Sequence, residues 1–149
     1  MIEANGKRYF THSEACTYIP VLQGAFGRIQ IYRQELSALH DEVTGQGLSA
    51  EVLLSSDPPL PPALERTRAR VQELAGLIEA EIEQIHAIGC LVKDLDTGLV
   101  DFYSRQGGED IFLCWRYGET EIRFWHSVNE GFTGRKPIPE RNRDRSILN

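Results

Sequence analysis

The spacing of the apolar residues constrains this chain more than any other feature of its sequence. Over residues 15–43, apolar or small residues recur at alternating intervals of three and four positions, and a second such series covers residues 64–88. This spacing is typical of helices that bury one stripe against a neighbouring helix. The sequence therefore predicts a long antiparallel helical hairpin over residues 11–89.

Local signals mark the ends of these helices. Thr11 and Glu14 have the spacing of a capping box, and Pro20 predicts a kink or a late start of the first helix. The connection at 44–61 is rich in proline and glycine, so no regular element is expected there. The second helix is predicted to start near Pro62 and to stop at Gly89.

Residues 90–135 follow a different pattern. Four short runs rich in β-branched and aromatic residues alternate with turns that contain glycine. The runs are 90–95, 99–103, 111–115 and 121–126. They predict a small antiparallel β-meander of three to four strands, and a segment near 7–10 could extend one edge. The predicted fold is α+β, a long helical hairpin packed with this meander.

Length and composition indicate one domain over residues 1–149, ending in a polar tail at 136–149. The tail is expected to be solvated, with an arm that wraps a partner or an anionic ligand as the alternative. The formal charge of −6 makes nucleic acid an unlikely partner. No apolar run is long enough to cross a membrane, and residues 1–10 contain no apolar run of the kind found in secretion signals, so none is expected.

Two further features predict the compartment and the assembly. The three cysteines, Cys16, Cys90 and Cys114, form no C-x-x-C pair, which favours reduced thiols and a cytoplasmic location. A helical hairpin buries only one stripe of each helix, so apolar residues such as Ile31 and Leu77 need cover from elsewhere. We therefore expect a homodimer through the helices.

Polar residues near the last predicted strand are the strongest candidates for a functional site. His126 ends that strand and Glu130 follows four residues later, so the two are the candidate catalytic pair. An imidazole that is merely hydrogen-bonded within the sheet is the alternative. The predicted ligand-binding residues are Arg135, Glu119, His126, Trp115 and Asp101.

Arg135 ends a glycine-containing loop at 130–134, which could present backbone N–H groups to an anion while the guanidinium clamps it. Pairing of Arg135 with Glu119 or Glu130 is the alternative. Trp115 could stack on a planar ligand or fill the space between sheet and helices.

A divalent metal ion is a weaker possibility, and no cofactor is firmly indicated. The weak candidate ligands are Asp94, Asp96, His126 and Glu130. Asp96 also suits the opening of a tight turn, and that interpretation is favoured for it. Cys114 could act as a nucleophile with His126 as its base, or it could be a small buried hydrophobe.

Several segments resemble a bacterial family known as domain of unknown function 2203. They are KDLDTGLVDF, FLCWRYGE, the dipeptide WH and EGFTGRKPI, together with FTHSEACTYIPVL near the N-terminus. The resemblance implies an intracellular bacterial protein. It implies no activity, cofactor or catalytic residue.

Taken together, these features predict a small cytosolic binding or regulatory protein. Its polar pocket, at the end of the sheet, would take an anionic small molecule or an ion. One alternative is a hydrolase, with or without a metal, that uses His126 and Glu130. Another is a structural adaptor or oligomerisation module that uses the long helices.

Overall fold

The computed structural model describes residues 6–54 and 60–139, and its fold is α+β, as predicted. The α-helices in these residues are α1 (His12–Cys16), α2 (Ile19–Gly45) and α3 (Pro62–Ile88), and 3₁₀ helices cover Ala50–Leu53 and Phe132–Gly134. The strands are β1 (Leu91–Asp94), β2 (Leu99–Gln106), β3 (Glu109–Arg116), β4 (Phe124–Ser127) and β5 (Lys136–Pro137).

The chain divides into two compact units. The helical unit consists of residues 27–83, and the sheet unit consists of residues 1–26 and 84–149. Helix α2 begins in the sheet unit and continues into the helical unit, whereas α3 runs the other way. The single domain expected from the sequence stays a prediction.

The start of the helical region follows the sequence signals. The hydroxyl of Thr11 accepts the backbone N–H of Glu14 at 3.0 Å, and the Glu14 carboxylate accepts the backbone N–H of Thr11 at 3.0 Å. This capping box begins the short helix α1. Pro20 then lies in the first turn of α2, where a missing N–H costs no helical hydrogen bond. The late start predicted from Pro20 is therefore confirmed.

Within the helical unit the two helices run antiparallel. Arg28 near the start of the unit binds Glu81 near its end, with nitrogen–oxygen distances of 2.6 and 3.0 Å. Glu35, further along α2, binds Arg70, which comes earlier in α3. The predicted apolar stripe is the buried side of this pair. Its buried members are Ile29, Val43, Val71, Leu74 and Ile78.

The connection between α2 and α3 contains more structure than predicted. Residues 50–53 form a 3₁₀ helix, because the Ser49 side chain caps it and Leu53 is buried against Val43 and Val71. A proline- and glycine-rich segment can thus hold a helical turn where one leucine reaches an apolar cluster. Residues 55–59 of the predicted connection lie outside the described residues.

The sheet is an antiparallel meander in which β1 to β5 are neighbours in chain order. The first four strands match the four predicted runs, although β4 begins at Phe124 and not at 121. The fifth was missed, because Lys136–Pro137 lies in the segment predicted to be a polar tail. Ile138 holds it in place, since its side chain is buried and its N–H donates to Arg123 O at 2.7 Å. Residues 140–149 of that tail lie outside the described residues.

Aromatic side chains fill the interior of the sheet unit. Phe10 contacts Phe102 edge to face at 5.0 Å between ring centroids, and the Phe10 N–H donates to Tyr103 O at 2.8 Å. Trp115 is fully buried, and the centroid of its ring lies 5.9 Å from that of Phe26 in α2. These contacts attach the segment before α1 and the first turns of α2 to the sheet.

Candidate functional site

Three side chains with metal-ligand chemistry converge on one face of the sheet. Asp101 on β2 and Cys114 on β3 are direct cross-strand partners, and His126 on β4 faces Phe112, two residues before Cys114. Cross-strand partners point to the same face, as do residues two apart on one strand. Asp101, Cys114 and His126 therefore meet, and we call them the buried cluster.

The buried cluster is compact and shielded from solvent. Its residues are exposed by only 1–3%. One ligand atom from each residue lies within 4.8 Å of the other two. The His126 Nε2 is 3.0 Å from Asp101 Oδ2, and the His126 ring lies against the ring of Phe112, with centroids 5.4 Å apart.

The two nitrogens of His126 have different partners. Nδ1 lies 2.8 Å from the backbone oxygen of Ser127, which can only accept, so Nδ1 carries a hydrogen and donates it. Nε2 faces a carboxylate oxygen. If His126 is neutral, Nε2 presents a lone pair to Asp101, and a positive species must lie between the two atoms. A proton or a metal ion can fill that position.

Asp101 is buried, and its partners compensate only in part, namely the His126 ring and the Cys114 thiol, which both hydrogen-bond to its carboxyl. Burial raises the pKa of its carboxyl, while attraction to His126, and more weakly to Lys93, acts in the opposite direction. Its Oδ1 accepts no hydrogen bond from the residues that the structure describes. A buried carboxylate oxygen without a donor is costly, so the cluster has capacity for a further positive group.

Cys114 is not set up as a nucleophile. Burial raises the pKa of its thiol to about 12, and the neighbouring Asp101 carboxylate acts in the same direction. The thiolate is the reactive form, so a thiol with a raised pKa reacts poorly. A bound cation would reverse this, because it would replace the proton on the sulfur and the proton would leave to solvent.

A cavity of about 300 Å³ opens beside the buried cluster, and all three of its residues line it. The lining also includes Lys93 and Glu130, together with apolar side chains such as Leu99 and Phe132. The cluster is therefore buried but borders a space that a small molecule can enter.

Two of the predicted site residues belong to the buried cluster, Arg135 and Glu119 pair with each other beside it, and Trp115 points to the opposite face. His126 and Asp101 belong to the cluster. Arg135 borders it, because its guanidinium donates to Cys114 O at 3.4 Å and attracts the Cys114 thiolate form, which acts to lower the pKa of that thiol. The same guanidinium pairs with Glu119 at 2.7 Å and lies 4.1 Å from the centroid of the Phe124 ring. Neither Arg135 nor Glu119 lines the cluster's cavity. Trp115 is fully buried, and its indole N–H donates to Glu119 O at 3.0 Å. It is next to Cys114 on β3, so it points to the opposite face.

Glu130 lines the cavity but does not orient His126. Its carboxylate accepts from the Ser127 hydroxyl at 2.9 Å and binds the Lys136 ammonium at 3.1 Å, and these contacts hold the pKa of Glu130 below its usual value. The carboxylate bound to His126 belongs to Asp101. The chain after β4 turns and forms a 3₁₀ helix only at Phe132–Gly134, so His126 and Glu130 do not share the face of a helix.

The turn-opening role predicted for Asp96 belongs to the Asp94 carboxylate. Asp94 accepts from the backbone N–H of Thr97 at 3.2 Å, from the Thr97 hydroxyl, and from the backbone N–H of Asp96. Neither Asp94 nor Asp96 lines the cavity. Sequence reasoning missed Cys114 as a possible metal ligand. The detectable signal was strand alternation, which puts Cys114 on the same face as residue 112. If the register of the hairpin is known, Cys114 is also the cross-strand partner of Asp101.

Comparison with known proteins gives one match. The family model described as an uncharacterized conserved protein, DUF2203, matches residues 8–138. Nothing among the curated proteins or the solved structures matches the chain. In the part of the chain that the structure describes, no helix is both long enough and apolar enough to cross a lipid bilayer.

Proposed function

The chain belongs to the uncharacterized family DUF2203, and we propose from its geometry that it is a small binding protein for a divalent transition-metal ion of the zinc class. Asp101, Cys114 and His126 are the proposed ligands. The observation that carries the proposal is the convergence of a carboxylate, a thiol and an imidazole within 4.8 Å beside a cavity.

The ligand chemistry favours zinc over magnesium or calcium. Sulfur and imidazole nitrogen suit borderline-soft cations, whereas magnesium and calcium prefer oxygen. Zinc bonds of about 2.0–2.3 Å hold tetrahedral ligand atoms roughly 3.3–3.6 Å apart. The 3.0 Å separation of His126 Nε2 and Asp101 Oδ2 is close to that spacing, so a small opening admits the ion.

The surroundings of the cluster support the same proposal. Metal-binding histidines usually donate their other N–H to a carbonyl or carboxylate, and His126 Nδ1 faces the Ser127 carbonyl in this way. A divalent ion would also neutralise the two negative charges of Asp101 and a Cys114 thiolate. A buried pair of anions that is costly when uncompensated then becomes neutral as a whole.

Cobalt(II) provides the direct test, because cobalt bound to a thiolate gives a strong near-ultraviolet absorption and visible bands that report its geometry. We expect the reduced protein to bind one equivalent with a thiolate band that zinc removes. Cys114→Ser should abolish that band. Cys90→Ser is the matched control, since Cys90 is equally buried and its pKa is likewise raised to about 12. No band in the unmodified protein, or equal loss in both variants, would overturn the proposal.

A metal-dependent hydrolase is the second candidate. Three protein ligands leave one position of a tetrahedral ion open, which is the pattern of catalytic zinc sites, and Glu130 lines the same cavity. Zinc-loaded protein should then hydrolyse simple esters or phosphate esters, and Glu130→Gln should slow hydrolysis without reducing zinc affinity. Hydrolysis that a chelator does not affect would contradict this candidate.

The expected homodimer and cytoplasmic location stay proposals. Ile31 and Leu77 in the helical unit are exposed, by 63% and 37%, and are available for a second copy of the chain or for an adaptor's partner. The three cysteines are free thiols, which favours a reducing compartment. Light scattering in solution tests the dimer, because a monomeric mass would contradict it.

A further inference from the structure

The cavity beside the buried cluster has room for a small ligand next to the proposed metal position. If an ion binds there, as proposed above, its three protein ligands leave a fourth position for a small ligand. The volume of about 300 Å³ lies at the lower limit of ordinary ligand sites. The chemistry of the other lining residues therefore indicates what this ligand is.

Lys93 supplies a positive charge at this cavity. Its ammonium lies 4.9 Å from the centroid of the Phe112 ring, and the same ring contacts His126. No carboxylate among residues 6–54 and 60–139 forms an ion pair with Lys93. Its charge is thus available to a ligand that reaches the cluster.

The charge around the bound ion would favour a single negative charge. Asp101 and the Cys114 thiolate neutralise a divalent ion, and the other charged lining residue, Glu130, is paired with Lys136. Lys93 then gives the cavity a net positive charge. A monoanion would be attracted on both sides, by the ion and by the ammonium.

Apolar side chains make up another part of the lining. Val128 and Phe132 are exposed by 40% and 43%, although both border the cavity. A ligand with an apolar part would remove them from water, which is favourable in proportion to the area covered. An inorganic anion alone would leave them exposed.

We propose that the cavity binds a small monocarboxylate with an apolar substituent. The carboxylate completes the coordination of the metal and pairs with Lys93, while the apolar part covers Val128 and Phe132. This proposal rests on the metal centre proposed above and adds the class of its ligand.

Sodium butyrate added to the cobalt-loaded protein tests the proposal through the visible cobalt bands. We expect a saturable change with butyrate and none with neutral butyramide. Lys93→Met should weaken butyrate binding about fivefold, as expected for a partly exposed ion pair. Lys7→Met is the control, because Lys7 does not line this cavity and should leave the affinity unchanged.

The outcomes separate this proposal from the metal proposal. Failure to obtain a cobalt–thiolate band overturns both. A normal cobalt spectrum that butyrate does not change, or that Lys93→Met leaves equally responsive, overturns the carboxylate proposal alone. Equal binding of acetate and butyrate overturns the role of the apolar residues, and tighter binding of inorganic phosphate overturns the ligand class.

Discussion

The contacts of the two ring nitrogens of His126 determine which atom of the buried cluster can bind a metal ion. His126 donates from Nδ1 to a carbonyl, so the chemistry lies at Nε2, which faces Asp101 at 3.0 Å. A proton can occupy the space between these atoms in the metal-free protein, and a metal ion can replace it. Metal binding would then release this proton together with that of the Cys114 thiol to solvent.

Asp101→Asn separates the metal role from a structural role. In the metal-free variant the amide N–H₂ can donate to His126 Nε2, so we expect a free energy of unfolding within about 1 kcal/mol of the unmodified protein. Zinc at about 100 times its Kd should stabilise the unmodified protein by about 2.7 kcal/mol. The variant should lose this gain, because it has lost an anionic ligand. Thermal unfolding with and without zinc measures both effects.

Asp110→Asn is the control for this prediction. Asp110 accepts from the Tyr9 hydroxyl at 2.9 Å and does not line the cavity. Its substitution should lower stability by about 1 kcal/mol with or without zinc, and the zinc-dependent gain should remain. A gain that survives in Asp101→Asn would exclude that residue as a ligand.

At the scale of elements, the tight turn before β2 depends on a close backbone approach. Gly98 has φ of +73°, and a Cβ added there would lie 2.5 Å from the Tyr117 Cβ. The Tyr117 N–H donates to Gly98 O at 2.8 Å, so the two turns are in direct contact. This contact positions the start of β2, which carries Asp101.

Gly98→Ala and Gly107→Ala form a matched pair. Gly107 has φ of +60° but open space around it. Each alanine should cost about 1–2 kcal/mol for the left-handed backbone, and Gly98→Ala should cost at least about 1 kcal/mol more, because Tyr117 must move. Urea unfolding of the two variants gives the difference. Equal losses of unfolding free energy in the two variants would show that Tyr117 moves away from the new Cβ at no energetic cost.

The elements were predictable where the signal is local. Pro62 and Gly89 affect the backbone conformation at their own positions, and α3 begins and ends within one residue of the limits that they predict. β5 was not predictable, since two residues have no periodicity and their place depends on burial of Ile138.

The candidate site was predictable in part. His126 and Asp101 were both identified, but their pairing depends on the register of β3 between them, and a shift of one residue would reverse every face.

At the scale of the whole molecule, the net charge of the protein and the charge at the cavity have opposite effects on an approaching anion. The formal charge of −6 repels polyanions at long range, whereas Lys93 and a bound ion would attract a monoanion at the cavity. A weak general repulsion combined with a local attraction favours a small, singly charged ligand over a nucleic acid.

The two units provide separate probes of cooperativity. Both tryptophans belong to the sheet unit, whereas helical circular dichroism reports mainly α2 and α3. Because both helices run through the two units, we expect the same urea midpoint from tryptophan fluorescence and from circular dichroism. Zinc should raise both midpoints together in the unmodified protein and neither of them in Cys114→Ser. Different midpoints from the two signals would instead show that the units unfold independently. If zinc then raised only the midpoint measured by fluorescence, the metal would stabilise the sheet unit alone.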